Sequence, residues 1–194
     1  QRKVVYSFRR SILEGEEAIY TLICDQIGGV VQDLIANKAQ GRALGAQVIQ
    51  EIFNDLQALT GLPVAEIESA GINTSSYELL VSDAINFLLE KYQLYRSRDD
   101  KGIIQQAEKW LMLETIDTAG KQHMLNLDHL KEGIGLRGWG QKNPLIEYKR
   151  EAFDIFKEMM DYIRRDVVHH IFHINIERFD ARAFESKRER EMED

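Results

Sequence analysis

Proline and cysteine are nearly absent from this chain of 194 residues, which holds two prolines (Pro63 and Pro144) and a single cysteine, Cys24. Proline inside a helix removes a hydrogen bond and clashes with the preceding turn, so a proline content far below the usual ~5% leaves room for long helices. One cysteine excludes an internal disulfide and suits a reduced compartment. Long apolar runs are missing too. Leu56 to Ala65 is as long as any uncharged run, about half the ~20 residues that a membrane-spanning helix needs. Positive charge is in deficit: 25 Lys and Arg against 32 Asp and Glu give a net charge of −7, which argues against general nucleic-acid affinity. No Gly-x4-Gly-Lys-[Ser/Thr] phosphate loop occurs anywhere. The opening Gln1-Arg2-Lys3 shows neither an initiator Met nor a signal-peptide pattern and enters directly into a helical pattern, so the sequence reads as a piece of a longer protein.

What the chain does contain is helical periodicity, organised around one glycine-rich stretch. Glu132 to Asn143 carries four of the thirteen glycines (133, 135, 138 and 140), with Leu136, Arg137 and Trp139 among them. Each glycine disfavours helix by roughly 1 kcal/mol. Twelve residues would be a long connection between packed helices, where about 2–8 is usual. The stretch reads either as a presented tip or as a flexible turn whose Trp and Leu fold back. Its surroundings are locally basic: Lys131, Arg137, Lys142, Lys149 and Arg150 stand against Glu132 and Glu147.

The spacing predicts an all-α chain. Val5, Phe8 and Ile12 make a helical stub over 3–13 that ends near Gly15. A second helix is predicted from Glu17 to about Asn37, weakened at Gly28-Gly29, where a bend or a close helix contact is expected. Leu44 to Leu59 form the next amphipathic helix, stopped by Thr60-Gly61-Leu62-Pro63. After an irregular or single-turn stretch at 64–74, Ser75-Ser76-Tyr77-Glu78 reads as a capping box with Ser75 as the cap. It opens a helix bearing Tyr77, Leu80, Val81, Ala84, Ile85, Leu88, Tyr92 and Tyr95, the tyrosines being core or rim. These three helices are expected to share a core.

Two longer helices follow. One starts at Ile103 and runs about 28 residues, interrupted only by Gly120. The other starts at Pro144, capped by Asn143, and runs to roughly Phe172. Two long helices joined by one loop pair antiparallel, with the glycine-rich stretch at the end of the hairpin. His173 to Ile176 alternates and is expected to be extended, and the charged end from Glu177 is expected to be a disordered linker.

Candidate chemistry is thin. His169 and His173 have a helical zinc spacing beside Asp166 and His170, but no Cys or further His lies near in sequence, so a polar helix face is the expectation and no metal site is assigned. Glu114, Asp117, Glu147 and Glu151 are expected to be helix-surface or inter-arm partners, with no catalytic residue assigned.

One long segment carries a family resemblance. Met112-Leu113-Glu114-Thr115-Ile116-Asp117, His123, Asp128 to Pro144 and Glu147-Tyr148-Lys149-Arg150-Glu151-Ala152-Phe153 resemble the SecA preprotein translocase family. The match lies in its two-helix finger, whose tip reads Gly-Ile-x-Leu-Arg-Gly-aromatic. Residues 1–14 are similar to the end of the family's long scaffold helix. The resemblance implies a helical wing over 15–100, the scaffold's two-helix finger over 101–178 and a charged linker over 179–194. This chain has Trp139 where the family usually has Tyr, Asn143 where Asp often stands, and Gly120 where Trp is common; the first finger helix is therefore expected to bend or fray near Ala119-Gly120-Lys121.

The family is an ATP-driven motor of the bacterial cytoplasm and the cytoplasmic face of the inner membrane, peripheral to the bilayer. By resemblance this chain is its mechanical part, without ATPase motifs; ATP and Mg belong to the parent's motor domains, and no cofactor to this stretch. The implied partners are those motor domains, the SecYEG channel and unfolded preproteins, touched by a finger tip of Ile134, Leu136, Arg137, Gly138, Trp139, Gly140, Gln141 and Lys142. Apolar surface left open without the motor domains would allow a homodimer. A non-enzymatic helical adaptor, binding a folded partner through the hairpin, is the alternative.

Overall fold

The computed structural model describes residues 2–40, 42–98, 102–137 and 143–174, and every regular element among them is a helix. The elements are α1 (Arg2–Leu13), α2 (Glu16–Ala39), α3 (Ala46–Thr60), α4 (Val64–Ser69), α5 (Tyr77–Arg96), α6 (Ile103–Arg137) and α7 (Pro144–His173). The fold is all-α, as the periodicity predicts. Residues 175 and 176, the charged stretch 177–194 and positions 138–142 lie outside the described residues.

α2 is unbroken through Gly28-Gly29. Ile19, Ile23, Ile27, Val30, Val31 and Ile35 are all buried along it. At about 1.5–3 kcal/mol for each large apolar side chain, their burial outweighs the ~2 kcal/mol that two glycines cost. Gly29 is a close contact, the second of the two expectations. A Cβ there would lie 2.9 Å from Cδ of Arg164, whose stem crosses α2 at this point to reach Asp33 at 2.7 Å. α3 ends on Gly61, left-handed at φ 71°, whose amide donates to the Gln57 carbonyl.

The cap of α5 is one residue later than the sequence suggests. The Ser76 hydroxyl accepts from the Leu79 amide at 3.2 Å, while the Ser75 hydroxyl donates to Asn73 Oδ1 at 2.7 Å. The capping box therefore fails, because three residues beyond Ser76 stands Leu79 rather than a carboxylate. Glu78 instead sits in the first turn, where the helix dipole favours it.

α6 has no single apolar face, because different neighbours cover it in succession. Its first turns meet α5, where Glu108, 0% exposed, accepts from the Tyr92 hydroxyl at 2.7 Å and pairs with Arg96 Nε at 3.1 Å. The Arg96 guanidinium also lies over the Tyr20 ring at 4.9 Å, and Tyr20 stacks on Tyr92. This links α2, α5 and α6. Burial, with Glu108 adding to it, drives the Tyr92 hydroxyl far above its ordinary pKa. Further on, α1 runs antiparallel to α6, with Arg9 on Asp117 at 3.2 Å and Val5 over Gly120. The helix is continuous through Gly120 and does not fray there: α1 packs on this turn, and Ile116 and Ala119 lie in the core.

One apolar core joins all of this. Ile12 of α1, the α2 row, Ile52 and Leu56 of α3, Ile67 of α4, Leu80 and Leu88 of α5, Met112 and Ile116 of α6, and Ile163, Val167 and Ile171 of α7 belong to it. The α2, α3 and α5 helices do share a core, and α7 is packed into the same core. Two outcomes test these assignments. Ser76→Ala lowers unfolding stability by about 1 kcal/mol, and Ser75→Ala changes it by less than about half that, in urea titrations followed by circular dichroism. Gly120→Ala raises stability by about 0.5–1 kcal/mol, because the new methyl meets only Val5 Cγ1 at 3.9 Å; a loss would show that the turn is strained.

Candidate functional site: the end of the helical hairpin

α6 and α7 form an antiparallel hairpin fixed in register by three contacts along its length. Thr115 donates to Asp166 at 3.0 Å near the base. In the middle the His123 ring meets Phe156 edge-on, with centroids 5.7 Å apart. Toward the end, Leu130, Ile134 and Ala152 are buried together, flanked by Leu127, Tyr148 and Ile155. The base is embedded in the main core, whose α6 members end at Ala119 and whose buried α7 members begin at Met159. Beyond those points the pair is held by its own narrow seam. At 1.5 Å per residue, α6 continues about 27 Å past Ala119.

The glycine-rich stretch is shorter as a connection than the sequence suggests. Residues 132–137 are the last turns of α6 rather than loop. The reason is Ile134, 7% exposed, which packs in the seam with Leu130 and Ala152 and offsets the helix cost of Gly133 and Gly135. Of the expected tip residues, Ile134 thus points into the hairpin, and Leu136 and Arg137 belong to the final turn of α6. Gly138, Trp139, Gly140, Gln141 and Lys142 lie outside the described residues. On the other arm, Asn143 Oδ1 accepts from the Leu145 amide at 3.0 Å and Pro144 opens α7, as its sequence signals.

Asp117 on one arm and Glu147 on the other are not brought together. Asp117 is paired with Arg9, and Glu147 with Arg150 at 2.7 Å. The register places Asp117 level with residues near 164, so Asp117 and Glu147 are separated along the hairpin by about 17 residues, or ~25 Å. Of the histidines, His170 Nδ1 lies 2.8 Å from the Asp166 carbonyl and His173 Nδ1 lies 2.6 Å from the His169 carbonyl, both bonding their own helix. His169 and His173 do share a face, with centroids 4.2 Å apart, but no group of three metal-ligating side chains lies together among the described residues.

Periodicity also missed something. Leu145, Ile146 and Phe153 are strongly exposed on α7. They stand off the Tyr148–Ala152–Phe156 stripe, and that offset was the available signal.

His123, buried between the arms, has its pKa pushed below the ordinary value by burial. A histidine whose folded pKa is depressed binds its proton more readily when unfolded, so the stability it protects is present above pH ~6.5 and is lost as the pH falls toward the lower folded value. The slope of urea stability against pH between about 6.5 and 5 is therefore expected to flatten in His123→Gln relative to the parent; an unchanged slope would remove His123 from that role.

A family model described as the SecA Wing and Scaffold domain matches residues 1–175. The protein translocase subunit SecA of Pelobacter propionicus is 36% identical over 185 residues, covering 92% of this chain and 20% of that protein. Its counterpart from Syntrophobacter fumaroxidans is 35% identical over 180 residues, covering 92% and 21%. That from Thermodesulfovibrio yellowstonii is 31% identical over 179 residues, covering 91% and 19%. The chain spans about a fifth of the length of these relatives. The seven helices of the described residues, ending in the long α6–α7 hairpin, fall within the matched residues 1–175, and the chain belongs to the SecA wing and scaffold family.

Proposed function

We propose that this chain is the mechanical part of a SecA-like, ATP-driven protein translocase, and that the end of its hairpin touches the moving preprotein and the SecYEG channel. The observation that carries the reading is the hairpin's construction. Its base is clamped in the shared core and by the Thr115–Asp166 bond, while its far half is a slim helix pair. A displacement imposed on the base is then delivered at the end with little loss, since helices packed along a continuous seam resist bending better than a loop.

Chemistry at the end suits contact with many unrelated chains. The indole of Trp139 offers large apolar area and one N–H donor, with Leu136 adding apolar surface and Arg137 and Lys142 positive charge. No bond-making step is asked of this chain. ATP and Mg would act in motor domains elsewhere in the parent, at the cytoplasmic face of a bacterial inner membrane. No described helix is long and apolar enough to cross a bilayer, which is compatible with peripheral attachment. The adaptor alternative has no structural observation of its own, and membership of the SecA family weighs against it.

The test uses the full-length parent with a photo-crosslinking residue at position 139. Trapping of preprotein or channel during ATP turnover is expected; capture of neither overturns the assignment. Trp139→Gly should slow translocation by about tenfold, equivalent to ~1.4 kcal/mol, without changing the urea midpoint of the chain, and Trp139→Tyr should be mild. Normal transport by the glycine variant would remove the contact role.

A further inference from the structure

The outer face of α7, turned away from α6, carries a seven-residue repeat. Ile146, Phe153 and Met160 are seven apart, and so are Arg150, Lys157 and Arg164. On a helix, each set falls in one column, drifting by only ~20° per repeat, and the two columns are adjacent. A third column, Glu147, Asp154 and Asp161, runs along the far side of the basic one. Columns of this period are what a second helix reads when it packs lengthwise with a small crossing angle.

The inner end of the repeat is already read in this way. α2 lies antiparallel on α7: Gly29 admits the Arg164 stem, Asp33 takes its guanidinium at 2.7 Å, and Ala36 and Asn37 share a groove with Phe153, Lys157 and Met160. Met160 is half-buried there. α2 then stops at Ala39, with Phe153 and Lys157 on the rim of that groove and Ile146 and Arg150 continuing the columns beyond it. Ile146 and Phe153 are 62% and 61% exposed, Arg150 bonds only within its own helix to Glu147, and Lys157 makes no ion pair among the described residues.

We propose that this uncovered strip, from Ile146 to Lys157, docks an amphipathic helix of a partner protein, antiparallel to α7 and continuing the line of α2. That helix presents apolar side chains to Ile146 and Phe153, and acidic ones seven residues apart to Arg150 and Lys157. The Asp33–Arg164 pair is the pattern for each contact. An anionic lipid surface fits less well, because the acidic column runs beside the basic one and would be pressed against the headgroups. The strip lies on the outer face of the hairpin, so this docking is separate from contact by the tip.

The experiment uses the whole chain and two fluorescent synthetic helical peptides of ~18 residues, long enough for marginal helicity in water. Both carry Leu at the seam positions; one has Glu and the other Lys at the positions facing Arg150 and Lys157. The Glu peptide is expected to bind. Its affinity should fall about tenfold in Arg150→Glu/Lys157→Glu, where the Lys peptide gains by a similar factor. Circular dichroism and urea midpoints should be unchanged, since these side chains are exposed. Equal binding of the two peptides, or indifference to the charge reversal in a folded variant, overturns the proposal. So does tighter binding of the parent to phosphatidylglycerol vesicles than to the Glu peptide, which would assign the strip to lipid. Concentration-dependent dimerisation abolished by Phe153→Asp would assign it to a second copy of the chain and equally overturn a partner helix.

Discussion

A carboxylate with no exposure fixes how the two halves of this chain meet. Glu108 lies near the start of α6 and is reached from α5 by the Tyr92 hydroxyl and the Arg96 guanidinium. Taking a charge out of water costs several kcal/mol, and only close, well-directed partners recover it; removing one partner of such a pair typically costs about 3–5 kcal/mol. The arrangement is therefore a constraint on geometry more than a source of stability. α6 cannot slide or rotate against α5 by a residue without leaving Glu108 unmatched. Tyr20 beneath Arg96 extends the same constraint to α2.

From that fixed origin the hairpin gains direction. Polar ties are spaced along the base: Arg9 to Asp117, Thr115 to Asp166, Arg164 to Asp33, and the Tyr95 hydroxyl to the Ile174 carbonyl. The partly exposed ion pairs among them are individually worth at most about 1 kcal/mol. Their value lies in register, because each joins elements that the apolar core alone would allow to shift. Past Ala119 and Met159 the arms meet through the His123–Phe156 ring contact and then the Leu130–Ile134–Ala152 seam. Stiffness is concentrated at the base and surface is presented at the end.

The helices and their faces were legible because 3.6-residue periodicity, Asn143-Pro144 and the Gly61-Leu62-Pro63 stop are local signals. What was not legible depended on tertiary contact. Gly133 and Gly135 looked like loop because the compensating burial of Ile134 comes from α7, which is distant in sequence. Gly120 looked like a break because the packing of α1 cannot be read from its neighbours. The cap at Ser76 rather than Ser75 turned on Asn73 taking the Ser75 hydroxyl, a choice between adjacent serines that pattern does not resolve. The family resemblance covered the finger strongly from Leu111 to Phe156, and the family match extends over residues 1–175. The exposed columns of α7 were written in the sequence but were masked by the stronger inward stripe.

The placement of α7 in the core also has a consequence in time. α2 and α3 bury their apolar faces partly against Ile163, Val167 and Ile171, and the Arg164–Asp33 pair spans 131 positions of the chain. During synthesis at about 5–20 residues per second, α2 would wait roughly 7–26 s before its covering helix is made. Throughout that interval a nascent chain carries an open apolar groove between its early helices. The ribosome-bound form therefore differs in surface from the folded domain, and closure of this groove waits for α7.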